Sequence, residues 1–185
     1  GTSNPANFFN DPHNQRRGLY ALVSLVRNIT AFCSSQSPPL TNVIGIELLN
    51  EPAPPTDESL MQWYTQTISS IRAIAPHIPI YLGEVWRPDR YTDYVVSQGL
   101  AHSSLVVLDH HLYRCFTQED ISTSVQDHTR ALANPSGDTR RTFARVSETL
   151  GRAGAGLIVG EWSCGLNPGS LRKVPGERRA FVDAQ

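Results

Sequence analysis

Cysteine is scarce in this sequence: Cys33, Cys115 and Cys164 are the three in 185 residues. They are too few and too far apart for a disulfide framework or a zinc motif. Excess charge of either sign is lacking too. Sixteen basic residues oppose seventeen acidic ones, a formal net charge of −1, which removes the electrostatic case for nucleic acid or an acidic membrane as partner. The densest basic cluster, Arg178-Arg179 with Arg172-Lys173 upstream, reads as a solvated helix face. No apolar run approaches the ~20 residues of a membrane span. Low-complexity segments are absent, and 39% hydrophobic with 18% charged residues is a globular composition, long enough for one full-sized core. The sequon Asn28-Ile29-Thr30 falls in a predicted helix and reads as a chance occurrence.

What is present is an alternation. Asp11-Pro12 reads as an N-cap and first helical position, followed by Leu19, Leu22, Val23, Val26, Ile29 and Phe32 at helical spacing. Residues 43–49, a nearly continuous apolar run, suit a parallel strand covered on both faces. Prolines at 52, 54 and 55 end it, and Asp57 is the expected cap of a helix carrying Leu60, Trp63, Tyr64, Ile68 and Ile71. The same unit recurs three times. Strands are predicted at 78–82, 105–108 and 157–159, and helices at 89–97, 119–132, around Phe143 to Leu150, and from Pro175.

Strands alternating with helices imply a parallel sheet with right-handed crossovers. Four strands make either a small open sheet or half of a (β/α)8 barrel, which usually takes ~250 residues. The sequence starts in a loop before a helix and stops inside one. The expectation is therefore a single partial α/β barrel domain over residues 1–185, cut at both ends.

In either architecture functional groups gather at the C-terminal strand ends. Those ends read Asn50-Glu51-Pro52, Gly83-Glu84-Val85-Trp86, Asp109-His110-His111-Leu112-Tyr113 and Gly160-Glu161-Trp162-Ser163. Two of them carry a glutamate, as glycoside cleavage by the retaining route requires. One carboxyl group protonates the leaving oxygen and the other attacks the anomeric carbon, with about 5–5.5 Å between them. The first and fourth strands of a flat sheet stand roughly 14 Å apart, so Glu51 and Glu161 can cooperate only if the sheet closes.

The run Gly45-Ile46-Glu47-Leu48-Leu49-Asn50-Glu51-Pro52 resembles the acid/base strand of family 5 glycoside hydrolases of the fungal exo-β-1,3-glucanase type. Asp109-His110-His111-Leu112-Tyr113 is similar to that group's sixth-strand His-x-Tyr segment, and Gly160-Glu161-Trp162-Ser163 to its nucleophile strand. The similarity runs in order from about Val43 to Gly165 and makes the four strands the fourth to seventh of a TIM barrel. It implies hydrolysis of β-glucosidic linkages, with β-1,3-glucan the favoured substrate, Glu51 as general acid/base and Glu161 as nucleophile. It further implies that Asn50 bonds the sugar 2-hydroxyl, that Tyr113 beside His111 bonds Glu161, and that Trp86 and Phe116 form aromatic walls. No cofactor or metal is called for, because protonation and covalent displacement suffice. The full-length protein is expected to be a monomer, and the family favours an extracellular or cell-wall location. The first three strands, with the arginine and histidine that flank the pair in this family, are not in the sequence. Nor is the eighth strand, with its tryptophan.

Simpler roles compete for several residues. Asp109-His110-His111 hints at a metal, but adjacent ligands on a strand point to opposite faces. Glu47 reads as a buried structural carboxylate on the face of Glu51. Glu84 is open between a substrate-rim contact and a solvated loop. Cys115 and Cys164 lack an activating neighbour and read as inert packing.

Overall fold

The computed structural model describes residues 7–101, 105–171 and 174–185; Arg172 and Lys173 of the basic cluster lie outside them. Helix α1 (Pro12–Ser35) starts as its sequence predicts, with the Asp11 carboxylate accepting from the His13 N–H at 2.8 Å and Pro12 in the first position. Helix α2 (Asp57–Arg72) starts one residue off expectation. Thr56, not Asp57, is its cap, accepting from the Ser59 N–H, while Asp57 and Glu58 fill the first turn where the helix dipole favours acidic groups. Helix α3 (Pro88–Ser97) follows.

The predicted helix 119–132 is two helices. α4 (Gln118–Ser122) opens on a reciprocal Thr117/Asp120 capping box, and α5 (Val125–Ala133) on Ser124, whose hydroxyl accepts from the Asp127 N–H. Thr123 and Ser124 adopt extended backbone between them. A serine offered the choice between helix interior and cap takes the cap. The Asp120 carbonyl, left over at the break, accepts from the Ser170 hydroxyl and meets His128 Nε2, both at 3.0 Å. α6 (Asp138–Arg152) and α7 (Glu177–Ala184) complete the set.

The four strands are parallel and ordered β1 (Ile46–Glu47), β2 (Ile80–Gly83), β3 (Val106–Arg114), β4 (Gly156–Leu166), so spatial order equals chain order. The sheet curls into a half-barrel, a partial (β/α) barrel. β1 is shorter than the apolar run 43–49. Among the described residues it pairs only with β2, and upstream Val43 and Ile44 stay exposed. β3 and β4 are longer than predicted. The polar strand-end segments from Asp109 and from Gly160 are themselves strand residues, because the two longest strands pair with each other well past the apolar stretch.

One side of the sheet is apolar. Ile46, Leu48, Ile80, Leu82, Val106 and Leu108 are buried with Leu60, Tyr64 and Ile71 of α2, Tyr91 and Val95 of α3, and Val146 and Leu150 of α6. By the two-residue period of a strand, Glu47, Tyr81, Val107, Asp109, His111 and Tyr113 take the concave side.

Candidate active site

Backbone strain marks the mouth of the half-barrel. Glu51, Val85 and Trp86 have φ of 40°, 54° and 56°, a left-handed conformation costing roughly 1–3 kcal/mol each for non-glycine residues. Glu51 follows directly on the first strand unit, and Val85-Trp86 leaves β2. The two exits lie close because Gly83 has no side chain. A Cβ there would stand 3.0 Å from the Pro52 ring and 3.1 Å from the Leu49 carbonyl.

Glu51 and Glu161 meet. A carboxylate oxygen of each, together with a ring nitrogen of His111, lie within 4.8 Å of one another. The curl of four strands is thus enough to bring them together, without the fully closed barrel that the flat-sheet spacing had demanded. His111 is the residue between: its Nδ1 stands 2.9 Å from Glu51 Oε1 and 3.4 Å from Glu161 Oε2, and its Nε2 3.9 Å from Asp109 Oδ2. Nδ1 thus faces both carboxyl groups from one edge of the ring. Burial alone would lower the His111 pKa. The bond to Glu51 and the charges of Glu161, Asp109 and Glu51 outweigh it and raise the group above its ordinary value. Tyr113 donates to Glu161 Oε2 at 2.8 Å, and that bond, with burial and the two glutamate charges, raises the phenol pKa. It therefore stays a donor.

Trp86 is half exposed beside this cluster and donates its indole N–H to the His111 carbonyl at 3.0 Å. Phe116 is exposed and meets Tyr113 edge-on at 5.3 Å between ring centres. Asn50 is exposed in the bend just before Glu51.

One sequence reading changes. Glu84 is neither a rim contact nor a solvated loop carboxylate: it is 2% exposed and 2.5 Å from His110 Nδ1. His110 also packs edge-on against Phe143 of α6. Residues 80, 82 and 84 of one strand face, like 106, 108 and 110 of the next, point into the helix layer, so strict alternation was the signal for this pair. Glu47 keeps its assignment as a partly buried carboxylate. Burial first, then the charges of Asp109 and Glu161, raise its pKa against the lowering pull of His111. Asp109, given no role by its motif alone, is buried and accepts from the Gly160 N–H at 2.8 Å.

Asp109, His110 and His111 do not converge as a metal site, since His110 turns to Glu84 and His111 to Glu51. Among the described residues two other sets could approach a cation, Glu47–Asp109–His111 and Glu51–His111–Glu161, each with donor atoms within 4.8 Å. Both would need the lone pair of an imidazole whose pKa is raised by its carboxylate neighbours, which favours ion pairing over ligation. The cysteines are half-buried and free.

No protein-family model matches the chain. Curated proteins do. Glucan 1,3-beta-glucosidase 3 of Schizosaccharomyces pombe is 29% identical over 158 residues, covering 83% of this chain and 30% of that protein. Glucan 1,3-beta-glucosidase of Candida oleophila is 32% identical over 130 residues, 67% of this chain and 28% of that protein. The chain is a homologue of the glucan 1,3-beta-glucosidases. An uncharacterized glycosyl hydrolase of Saccharomyces cerevisiae is similar too, 27% identical over 142 residues, 76% of this chain and 26% of that protein. The chain thus spans under a third of the length of each of these relatives. Among the described residues, no helix is long and apolar enough to cross a membrane.

Proposed function

We propose that these residues are the catalytic half of a retaining β-glucosidase of family 5 type, acting on β-1,3-glucan. The observation that carries the reading is the approach of Glu51 and Glu161 to within 4.8 Å across His111, the spacing class of the retaining mechanism. The names of the relatives supply the substrate class.

In the first step Glu161 attacks the anomeric carbon while Glu51 gives its proton to the departing oxygen, leaving a covalent glycosyl-enzyme. In the second Glu51 takes a proton from water, which displaces Glu161. Tyr113 holds Glu161 Oε2 and leaves the other oxygen for attack. His111 lies between the two glutamates, its Nδ1 2.9 Å from Glu51 Oε1 and 3.4 Å from Glu161 Oε2. Asn50 is the proposed partner of the 2-hydroxyl, and Trp86 and Phe116 are the aromatic faces against which sugar rings stack.

The test is the stereochemistry of the first product. Laminarin incubated with the full-length protein should release sugar first seen as the β-anomer by proton NMR. First appearance of the α-anomer would overturn retention, and binding of the oligosaccharide without turnover by a folded protein would overturn the enzymatic reading.

A further inference from the structure

The orientation of Glu161 does not follow from the strand that carries it. Along β3 and β4 the partners are Asp109 with Ile158 and His110 with Val159, but then His111 with Glu161. Gly160 is an extra residue, a β-bulge. With plain alternation His111 would face Gly160, and Glu161 would share the side of Leu112, away from His111 and Tyr113. The bulge is what turns Glu161 onto the concave side.

Asp109 holds that bulge. Its Oδ1 accepts the Gly160 N–H at 2.8 Å, and the backbone comes so close that a Cβ on residue 160 would lie 2.3 Å from Oδ1 and 2.4 Å from Oδ2. Its Oδ2 stands 3.9 Å from His111 Nε2, on the opposite ring edge from Glu51. The carboxylate is buried, so neither contact is diluted by solvent. We propose that Asp109 is a positioning residue. One oxygen fastens the Gly160 bulge that turns the nucleophile inward, and the other is the counter-charge that fixes the ring of His111 between the two glutamates. Gly160 is the necessary partner, because any side chain there would occupy the space of the carboxylate. The titratable groups facing this unit are Glu47 and Glu51 from the first strand and its exit, His111 and Tyr113 from β3, and Glu161 from β4.

The proposal rests on the glycosidase reading for its kinetic consequence but not for its structural one, and the test separates them. In the full-length protein, Asp109→Ala should lower kcat on an aryl β-glucoside by on the order of 100-fold, the effect of a misplaced reacting group, with KM little changed. Asp109→Asn keeps an oxygen for the Gly160 N–H, so most of kcat should return. The His111 ring, followed by its nitrogen NMR shifts, should then titrate at lower pH than in the wild type. Crystal structures should show Glu161 released from Tyr113 in Asp109→Ala and retained in Asp109→Asn. If Asp109→Ala does not fold, Gly160→Ala makes the same displacement from the other side and should lose kcat alike. Unchanged kcat per folded molecule in Asp109→Ala or Gly160→Ala overturns the proposal, as does equal loss in the Asn and Ala variants. If the wild type turns over no glucoside, the glycosidase reading fails alone. The crystal structures still decide, and Glu161 staying opposite His111 in Asp109→Ala would overturn the clamp.

Discussion

His111 has Glu51, Glu161 and Asp109 within 4 Å of its ring, so the pH behaviour of the mouth centres on one imidazole. Its raised pKa means that its contribution to stability is complete below the ordinary value of 6.5 and fades as pH rises through the higher folded value. Glu47 has the same sign. Raised above its ordinary 4.5 by burial first and then by Asp109 and Glu161, it favours the folded state below that value and withdraws the benefit as it ionises. Glu47→Gln keeps the shape without the charge and should flatten the decline of thermal stability as pH rises above 4.5; an unchanged slope in melting experiments would show that Glu47 does not contribute to it. The proposed roles of the two glutamates separate more sharply. Glu161→Ala should abolish turnover of an aryl β-glucoside, with azide partly restoring it and giving the inverted glycosyl azide. Glu51→Ala should slow substrates with poor leaving groups far more than those with good ones, and equal losses would count against an acid role. Both glutamates were legible in the sequence, since each stands two positions beyond an apolar run, 43–49 and 157–159. The Glu84–His110 pair was missed because a charged residue at a strand end reads as solvent-facing, although strict alternation with the buried positions 80 and 82, and 106 and 108, carries both towards the helix layer.

At the level of elements, boundaries moved where side chains compete with the backbone or where a partner strand decides. The α4–α5 break is the first kind. Ser124 caps α5 through the Asp127 N–H and donates to the Asp127 carboxylate at 2.6 Å, so Ser124→Ala should cost about 1 kcal/mol, read as a lower urea midpoint at unchanged slope. β1 and β4 are the second kind. Apolarity alone predicted seven residues for β1 and three for β4, whereas pairing allows two in β1 and eleven in β4. Hydrophobic runs report burial, but a strand is a set of hydrogen bonds to another strand, and that information lies in the neighbour.

For the whole molecule, the half-barrel leaves two sheet edges, β1 and β4, and exposed apolar side chains that include Ile44, Ile158 and Trp162. Unpaired edges and apolar faces of this kind pair with other chains. The 185-residue chain on its own should bind a hydrophobic dye and sediment faster than a monomer; a clean monomer without dye binding would show that the open face is tolerated in water.

Helix and strand order, the parallel sheet and the two glutamates could be read from residue order, because periodicity and strand-end placement are local properties of the chain. The meeting of Glu51 and Glu161 could not. They stand 110 positions apart, and their approach depends on sheet curl, on left-handed backbone at Glu51 and on one bulged glycine that reverses the facing of β4. Each of these is set by contacts with other strands, which no local pattern records.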